Sequence, residues 1–452
     1  MNGEVSAPRH HNVWWQILLA FILLLPVVLL LTIPRFRTSN EMMVLIVLIL
    51  IANIVLLWLA TRRRPTASPN AVPPILPHEL TAEEIPPTIH EILDVKQAAV
   101  DDDLMIFRGT LRENSELAFG KLKHEYAGRG TPLLQQDPTY GHAIFLTSQI
   151  PQPVMEERAD RFWLNWLLFG LTLLTTTAAG AIQQGADIFH QPASLAIGLP
   201  YSIAIMAILG FHELGHYYTA RHYRISVTPP FFIPVPFALG TFGAFIKMRS
   251  APEERRSLFD VAIAGPFAGL ALAIPALIIG LRGSTVVPTS AETDQVLGGL
   301  VSSSILFMSL AKAVLGDQLA QGNLLQLTPL AFAGWLGLLV TALNLLPIGQ
   351  LDGGHIARGM FGTRVGGWIS QIAMFSLFIG ALFQPQFLFW ALIVFFIARR
   401  VSPPLNDVTP IKASRMWLGA LAFLILALII VPMPEVLWDY LNQNADPQTL
   451  TI

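Results

Sequence analysis

Two histidines four residues apart, His212 and His216, flank Glu213 in a spacing that sets both imidazoles on one face of a helix. Both rings can then reach one Zn²⁺, and Glu213 stands where it can take a proton from a water molecule meeting the metal. The pattern is that of metal-assisted peptide hydrolysis. Its setting is as informative as its residues. The stretch from Ile197 to Phe211 is too uniformly apolar for an amphipathic surface helix and, with the motif, long enough to cross a bilayer. A charge at that depth costs roughly 2.5–3.5 kcal/mol on insertion scales, so three ionisable side chains together imply partners or a metal.

The remainder of the chain is composed to hold such a site in a membrane. Of 452 residues, 53% are hydrophobic and only 13% charged, and the mean hydropathy is +0.55. A net charge of -2 offers no basic surface for nucleic acid, and the bilayer is the expected partner. There is no cysteine, so zinc must be held by histidine and carboxylate. Apolar blocks near 13–33, 41–60, 162–181, 195–218, 257–281, 327–347, 366–383, 386–399 and 415–432 predict about nine transmembrane helices. The first, long and without a small-residue cleavage site, reads as a retained anchor. Threaded in order, these spans bring the basic clusters at 61–64, 221–224, 255–256 and 399–400 to one side, which the positive-inside rule makes cytoplasmic. The N-terminus, the soluble region and the mouth of the histidine motif are expected on that side.

The expected fold is an all-α polytopic membrane protein with a small α/β module and a membrane-re-entrant β-like loop. Two N-terminal helices (1–64) lead into a Pro-rich linker and soluble module (65–160), then a catalytic membrane core (161–365) and C-terminal helices (366–452). Within the module, Asp103–Thr110, Pro132–Gln136 and His142–Thr147 read as strands and Ser115–Tyr126 as a helix.

Two histidines leave a catalytic zinc short of a protein ligand. His222 has the spacing of a third histidine but lacks the glycine turn such a pattern needs and sits in a basic cluster at the end of a span. Glu253 and Glu254 belong to a charged run that reads as a solvated loop. Asp352 follows an apolar span in a segment, Asn344 to His355, where Pro347, Gly349, Gly353 and Gly354 let the backbone leave a regular helix. The threading brings it to the same side as the histidines. An Asp capping the next helix is the competing account. His355 fits either a supporting group or a helix-start hydrogen bond.

With these motifs assembled, the chain resembles the site-2 protease family of intramembrane zinc metalloproteases. The resemblance rests on His212 to His216, on Leu351 to Gly354, and on Gly240 to Ala244 between them. It implies one Zn²⁺ on His212, His216 and Asp352, Glu213 as catalytic acid and base, and cleavage of membrane-spanning proteins, with an upstream protease or regulatory protein as a possible partner. It further implies a substrate-positioning role for Asn344, against which stands a buried amide that holds two helices together. The connector at about 283–326 is too short for a PDZ domain. The leading spans and Phe107 to Arg112 resemble the cyanobacterial and chloroplast branch, although Thr110 departs from its Gly-Asn-Leu-Arg element. No transit peptide precedes the first span, and the expected location is a bacterial plasma membrane.

Substrate unwinding falls to the stretch from Pro229 to Lys247. Its proline-rich half cannot be an uninterrupted helix, and the rest, from Gly240, Thr241, Phe242 and Gly243 onward, has the content of an extended segment. Such a loop could pair with an unwound substrate by β-addition; an interfacial loop without substrate contact is the alternative. A metal transporter or a catalytically silent scaffold would also place histidine and aspartate in membrane helices. A transporter, however, needs no glutamate between the two histidines, and no inverted repeat is evident.

Overall fold

The computed structural model describes residues 78–101, 104–147, 162–236, 239–288, 304–319, 323–383, 386–397, 403–434 and 436–438. The spans expected at 13–33 and 41–60, the basic clusters at 61–64 and 399–400, and the linker as far as residue 77 lie outside them.

Alternating apolar and polar residues build a sheet module in which β1 (His78–Glu79), α1 (Pro87–Ile92), β2 (Leu93–Asp101), β3 (Leu104–Leu111), α2 (Ser115–Glu125), β4 (Thr131–Asp137) and β5 (Gly141–Thr147) follow in order. The five strands form one antiparallel sheet ordered β1-β2-β3-β5-β4. Ile89, Ile92, Leu93, Phe107, Leu122, Leu134 and Ile144 are fully buried in its core. The sheet is larger than the three strands expected. The missed strand β2 is bulged between Val95 and Gln97, and that extra residue breaks the period-two alternation by which strands are read. The bulge also explains a glycine. At Gly109, opposite it, an added Cβ would lie 2.0 Å from the Asp94 carbonyl oxygen.

Long charge-poor runs form the membrane part. These are α3 (Phe162–Gln183), α4 (Leu199–His222), the hairpin β6 (Phe231–Pro234) with β7 (Thr241–Phe245), α5 (Arg255–Leu281), β8 (Thr285–Pro288), α6 (Ile305–Leu315), β9 (Asn323–Gln326), α7 (Pro329–Leu345), α8 (Asp352–Phe383), α9 (Gln386–Ile397) and α10 (Ala413–Ile430). Among the described residues, four helices are long and apolar enough to cross a membrane: Phe162–Gln183, Pro192–His222, Arg255–Leu281 and Ala413–Ile430. α6 and α7 are shorter apolar helices. The spans expected at 366–383 and 386–399 fall on the later part of α8 and on α9.

The chain divides into two compact units. One comprises 1–75 and 374–397, whose described helical segments pack through Phe378, Ala381, Leu388 and Ala391. The other comprises 76–373 and 398–452 and holds the module and the helices α3 to α7.

Within that larger unit, small residues let helices approach closely, the packing device available where lipid is as apolar as leucine. At Gly215 of α4 a Cβ would stand 2.6 Å from the Ala264 carbonyl oxygen of α5, and at Gly334 of α7 one would stand 2.5 Å from the Leu277 nitrogen of α5. Hydroxyls contribute as well, Thr176 of α3 meeting Ser202 of α4 at 2.6 Å. The segment before α10 joins the module to this bundle. Leu134 of β4 donates to Leu405 and accepts from Asp407, while Leu405 and Asn406 donate to the Pro252 and Glu253 carbonyls just before α5.

Replacing Gly109 by alanine should force the β2 bulge apart and destabilise the module by about 1–3 kcal/mol. The expected signature is a lower unfolding temperature and faster trypsin cleavage between residues 78 and 147; an unchanged cleavage rate would contradict the packing described.

Candidate metal centre

α4 is apolar along almost its whole length, yet His212, Glu213 and His216 lie buried in it. The two imidazoles face α5, α7 and the start of α8. Their Nε2 atoms are 3.1 Å apart, and Oδ2 of Asp352 lies 3.3 Å from each. Among the described residues these three form the one group of histidine and carboxylate side chains close enough to hold a metal. Zinc–ligand bonds of about 2.0–2.2 Å at tetrahedral angles put neighbouring donor atoms about 3.3–3.6 Å apart; two sides of the triangle, at 3.3 Å, meet that spacing and the third, at 3.1 Å, lies just inside it, near the dimensions of a three-ligand zinc face. The donor chemistry, two imidazole nitrogens and one carboxylate oxygen, suits zinc equally well.

Each donor is aimed by its surroundings. Nδ1 of His216 is 2.8 Å from the Val261 carbonyl oxygen, which fixes the proton on Nδ1 and leaves the Nε2 lone pair free to bind a metal. α5 closes directly over that ring: a Cβ at Gly265 would lie 2.1 Å from His216 Nε2. Pro266, next in α5, leaves the Ala262 carbonyl without its helical donor in the wall of the site.

Asp352 is delivered by a tight turn between α7 and α8. A Cβ at Gly353 would lie 1.9 Å from the Leu345 carbonyl oxygen, and one at Gly354 would lie 2.5 Å from that of Gly349. Only glycine lets the chain fold back this sharply, so the two glycines after the aspartate are demanded by the turn. Asp352 does open α8, as a cap would, but its carboxylate is turned to both histidines.

A cavity of about 600 Å³ opens on this triangle. Glu213, Asn344, His355 and the backbone stretch from Ala244 to Pro252 help to line it. The Glu213 carboxylate accepts from the Ile246 backbone N–H. Asn344 Nδ2 lies 3.2 Å from His212 Nε2, so the structure brings this amide to the centre. It does not bring Gly240, Thr241, Phe242 or Gly243 into the cavity wall. Gly240 and Gly243 have positive φ and turn the hairpin, and Gly240 packs so closely on α3 that a Cβ would lie 2.5 Å from Thr176 Cα. The wall is made by the residues that follow, Ala244 to Pro252, which sequence reasoning passed over because their mixed composition shows no period. His222 ends α4 against the Tyr223 ring, and Glu253 pairs with Lys123 at 2.6 Å, both outside the metal-binding group.

Gly265→Ala should push His216 off its position while leaving every ligand present. Zinc content of the purified variant should fall well below that of the wild type; retention of the full complement would contradict the close α4–α5 contact.

Comparison with known proteins agrees with this chemistry. Residues 200–383 match the model for Peptidase family M50. The chain is 30% identical over 342 residues to "Probable zinc metalloprotease EGY2, chloroplastic" of Oryza sativa subsp. indica, covering 73% of this chain and 62% of that protein. It is 35% identical over 247 residues to the EGY1 protein of the same description from Arabidopsis thaliana, covering 54% and 44%. With EGY1 of Oryza sativa subsp. japonica it shares 34% over 375 residues, covering 75% and 64%. The chain thus spans less than two thirds of the length of these relatives. Their names correct one expectation: they are called chloroplastic and point to a chloroplast membrane, not a bacterial plasma membrane. Hydropathy and charge bias register a bilayer and its two sides, and both look alike in either setting. Residues 200–383, which contain the zinc-type ligand triangle, carry a Peptidase family M50 domain, of the site-2 protease type.

Proposed function

We propose that this chain is an intramembrane zinc metalloprotease that hydrolyses peptide bonds in or near transmembrane segments of membrane proteins. The observation that carries the reading is the triangle of buried His212 and His216 with half-buried Asp352, and a carboxylate placed as general base, Glu213, one residue from a ligand. His212, His216 and Asp352 would hold one Zn²⁺ per chain. When bound, zinc activates water near neutral pH and polarises the scissile carbonyl. Glu213 takes the proton of the attacking water and returns it to the leaving amine, and the Ile246 N–H keeps its carboxylate turned into the cavity. Asn344, beside His212, is placed to donate its amide hydrogen to substrate at the metal.

A helical substrate hides its carbonyls in its own hydrogen bonds, so unwinding must be compensated. β7 and the residues after it supply the means. Lys247 accepts from Thr228 N–H and Arg249 donates to Ser226, so those residues spend their backbone groups on the β6 side. In an extended chain the groups of Ala244, Ile246 and Met248 then face the opposite way, toward the cavity they line. In this reading the hairpin carries the substrate-positioning function, with Gly240, Thr241, Phe242 and Gly243 shaping its turn and the residues after them forming the edge. The division into N-terminal helices, soluble module, catalytic core and C-terminal helices, with about nine spans, completes the proposed layout.

Purified protein incubated with helix-destabilised transmembrane segments should cleave them and lose that activity on chelation. Glu213→Gln should lower turnover by about 10²–10⁴-fold with zinc retained; turnover equal to wild type would contradict the assignment. Ala244→Pro should impair cleavage of helical substrates far more than that of an already extended peptide, and equal loss on both would argue against edge pairing.

A further inference from the structure

Asp407 is 3% exposed and Arg358 9%, although neither is a metal ligand nor lines the cavity. Arg255, buried at the start of α5, joins them: its Nε and Nη2 donate to the carbonyls of Gly359 and Met360 at 3.0 and 2.5 Å. Those carbonyls end the first segment of α8, just before Gly362 breaks the helix with φ +82°. Asp407 Oδ2 accepts from the Thr363 N–H at 3.0 Å, capping the next segment, and the carboxylate lies within electrostatic reach of Arg255 and Arg358. Burial pushes the Asp407 carboxyl up, against the pull of the Thr363 N–H and the two guanidiniums. Arg358 reaches the other way. Its Nη1 donates at 2.8 Å to the carbonyl of Gly349, three residues before Asp352 in the turn that delivers that ligand. The Gly349 N–H is held by Ser370 Oγ, also at 2.8 Å.

The ten residues that begin with Asp352 are therefore clamped at both ends, by Arg358 at the entering turn and by Arg255 with Asp407 at the break. The chain spends three buried charges on this clamp, a costly choice unless position matters. We infer that Arg358 and Asp407 are positioning residues for Asp352, setting its carboxylate against the two histidines, and that the sheet module acts on the metal centre through them. The module's part is local and specific. Leu134 of β4 holds Leu405 and Asp407 by two backbone hydrogen bonds, at 2.7 and 2.9 Å, and so fixes the backbone from which the Asp407 carboxylate reaches the Thr363 N–H. This gives the sheet domain a role at the centre without any of its side chains entering the cavity.

The inference rests on the zinc reading, and the test separates the two. Zinc affinity is measured by chelator competition on the purified full chain, together with the absorption spectrum of the Co²⁺-substituted protein and the unfolding temperature. Wild type, Arg358→Met, Arg358→Lys and Asp407→Asn are compared, with Lys123→Ala, an exposed pair between module and bundle, as control. Wild-type protein without stoichiometric zinc would overturn the metal assignment itself. If wild type binds zinc, Arg358→Met and Asp407→Asn should weaken it by about 10–100-fold and shift the cobalt bands. Arg358→Lys, able to reach one carbonyl, should restore part of the loss, and Lys123→Ala should match wild type. Unchanged affinity and spectrum in Asp407→Asn and Arg358→Met, even with a lower unfolding temperature, would reduce the clamp to a structural role. Asp407→Asn, nearly the same shape, carries the test if Arg358→Met does not fold.

Discussion

Two buried imidazoles and a half-buried carboxylate in an apolar helix bundle are tolerable only if they satisfy one another or share a cation, and much of the larger unit answers to that requirement. His212 and His216 come from α4, Asp352 from the far side of a sharp turn after α7, and nearly the whole approach depends on atoms that are absent. Without a side chain at Gly215 and Gly265, α5 can lie against the imidazoles; without one at Gly353 and Gly354, the chain can reverse toward them. The small residues here are the means by which distant donors reach a separation near 3.3 Å.

Three kinds of backbone meet at the cavity, each suited to a different task. A regular helix gives rigid, periodic placement to His212, Glu213 and His216. A glycine-dense turn gives Asp352 a direction that no helix could supply. An extended segment after β7 exposes backbone groups that a helix would have consumed internally. Non-helical backbone at such a place is permissible because protein and a cavity, not lipid, surround it. The same segment links to Glu213 through the Ile246 N–H, so in the proposed mechanism a strand added at that edge would be felt at Glu213.

The centre was legible in the sequence to an unusual degree, and for physical reasons. Ligands on one helix betray themselves by spacing, and Asp352 stood out because prolines and glycines surrounded a carboxylate after an apolar run. The structure draws all three together. What escaped notice was whatever lacked periodicity. β2 was hidden by its bulge, and the cavity-lining stretch from Ala244 to Pro252 by its mixed composition. The clamp of Arg255, Arg358 and Asp407 was hidden by distance, since these residues lie more than a hundred positions apart at the extremes. At Gly240 to Gly243 the glycines mark a turn: Gly240 and Gly243 have positive φ, and Gly240 lets the hairpin rest on α3.

The most direct measurement is X-ray absorption at the zinc edge on purified full-length protein, with metal counted per chain. The account predicts one zinc per chain with a shell of nitrogen and oxygen only, two of the donors imidazole, and loss of an imidazole contribution in His216→Ala. Protein that is folded yet carries no stoichiometric zinc, or whose zinc shell is unaltered in that variant, would contradict it.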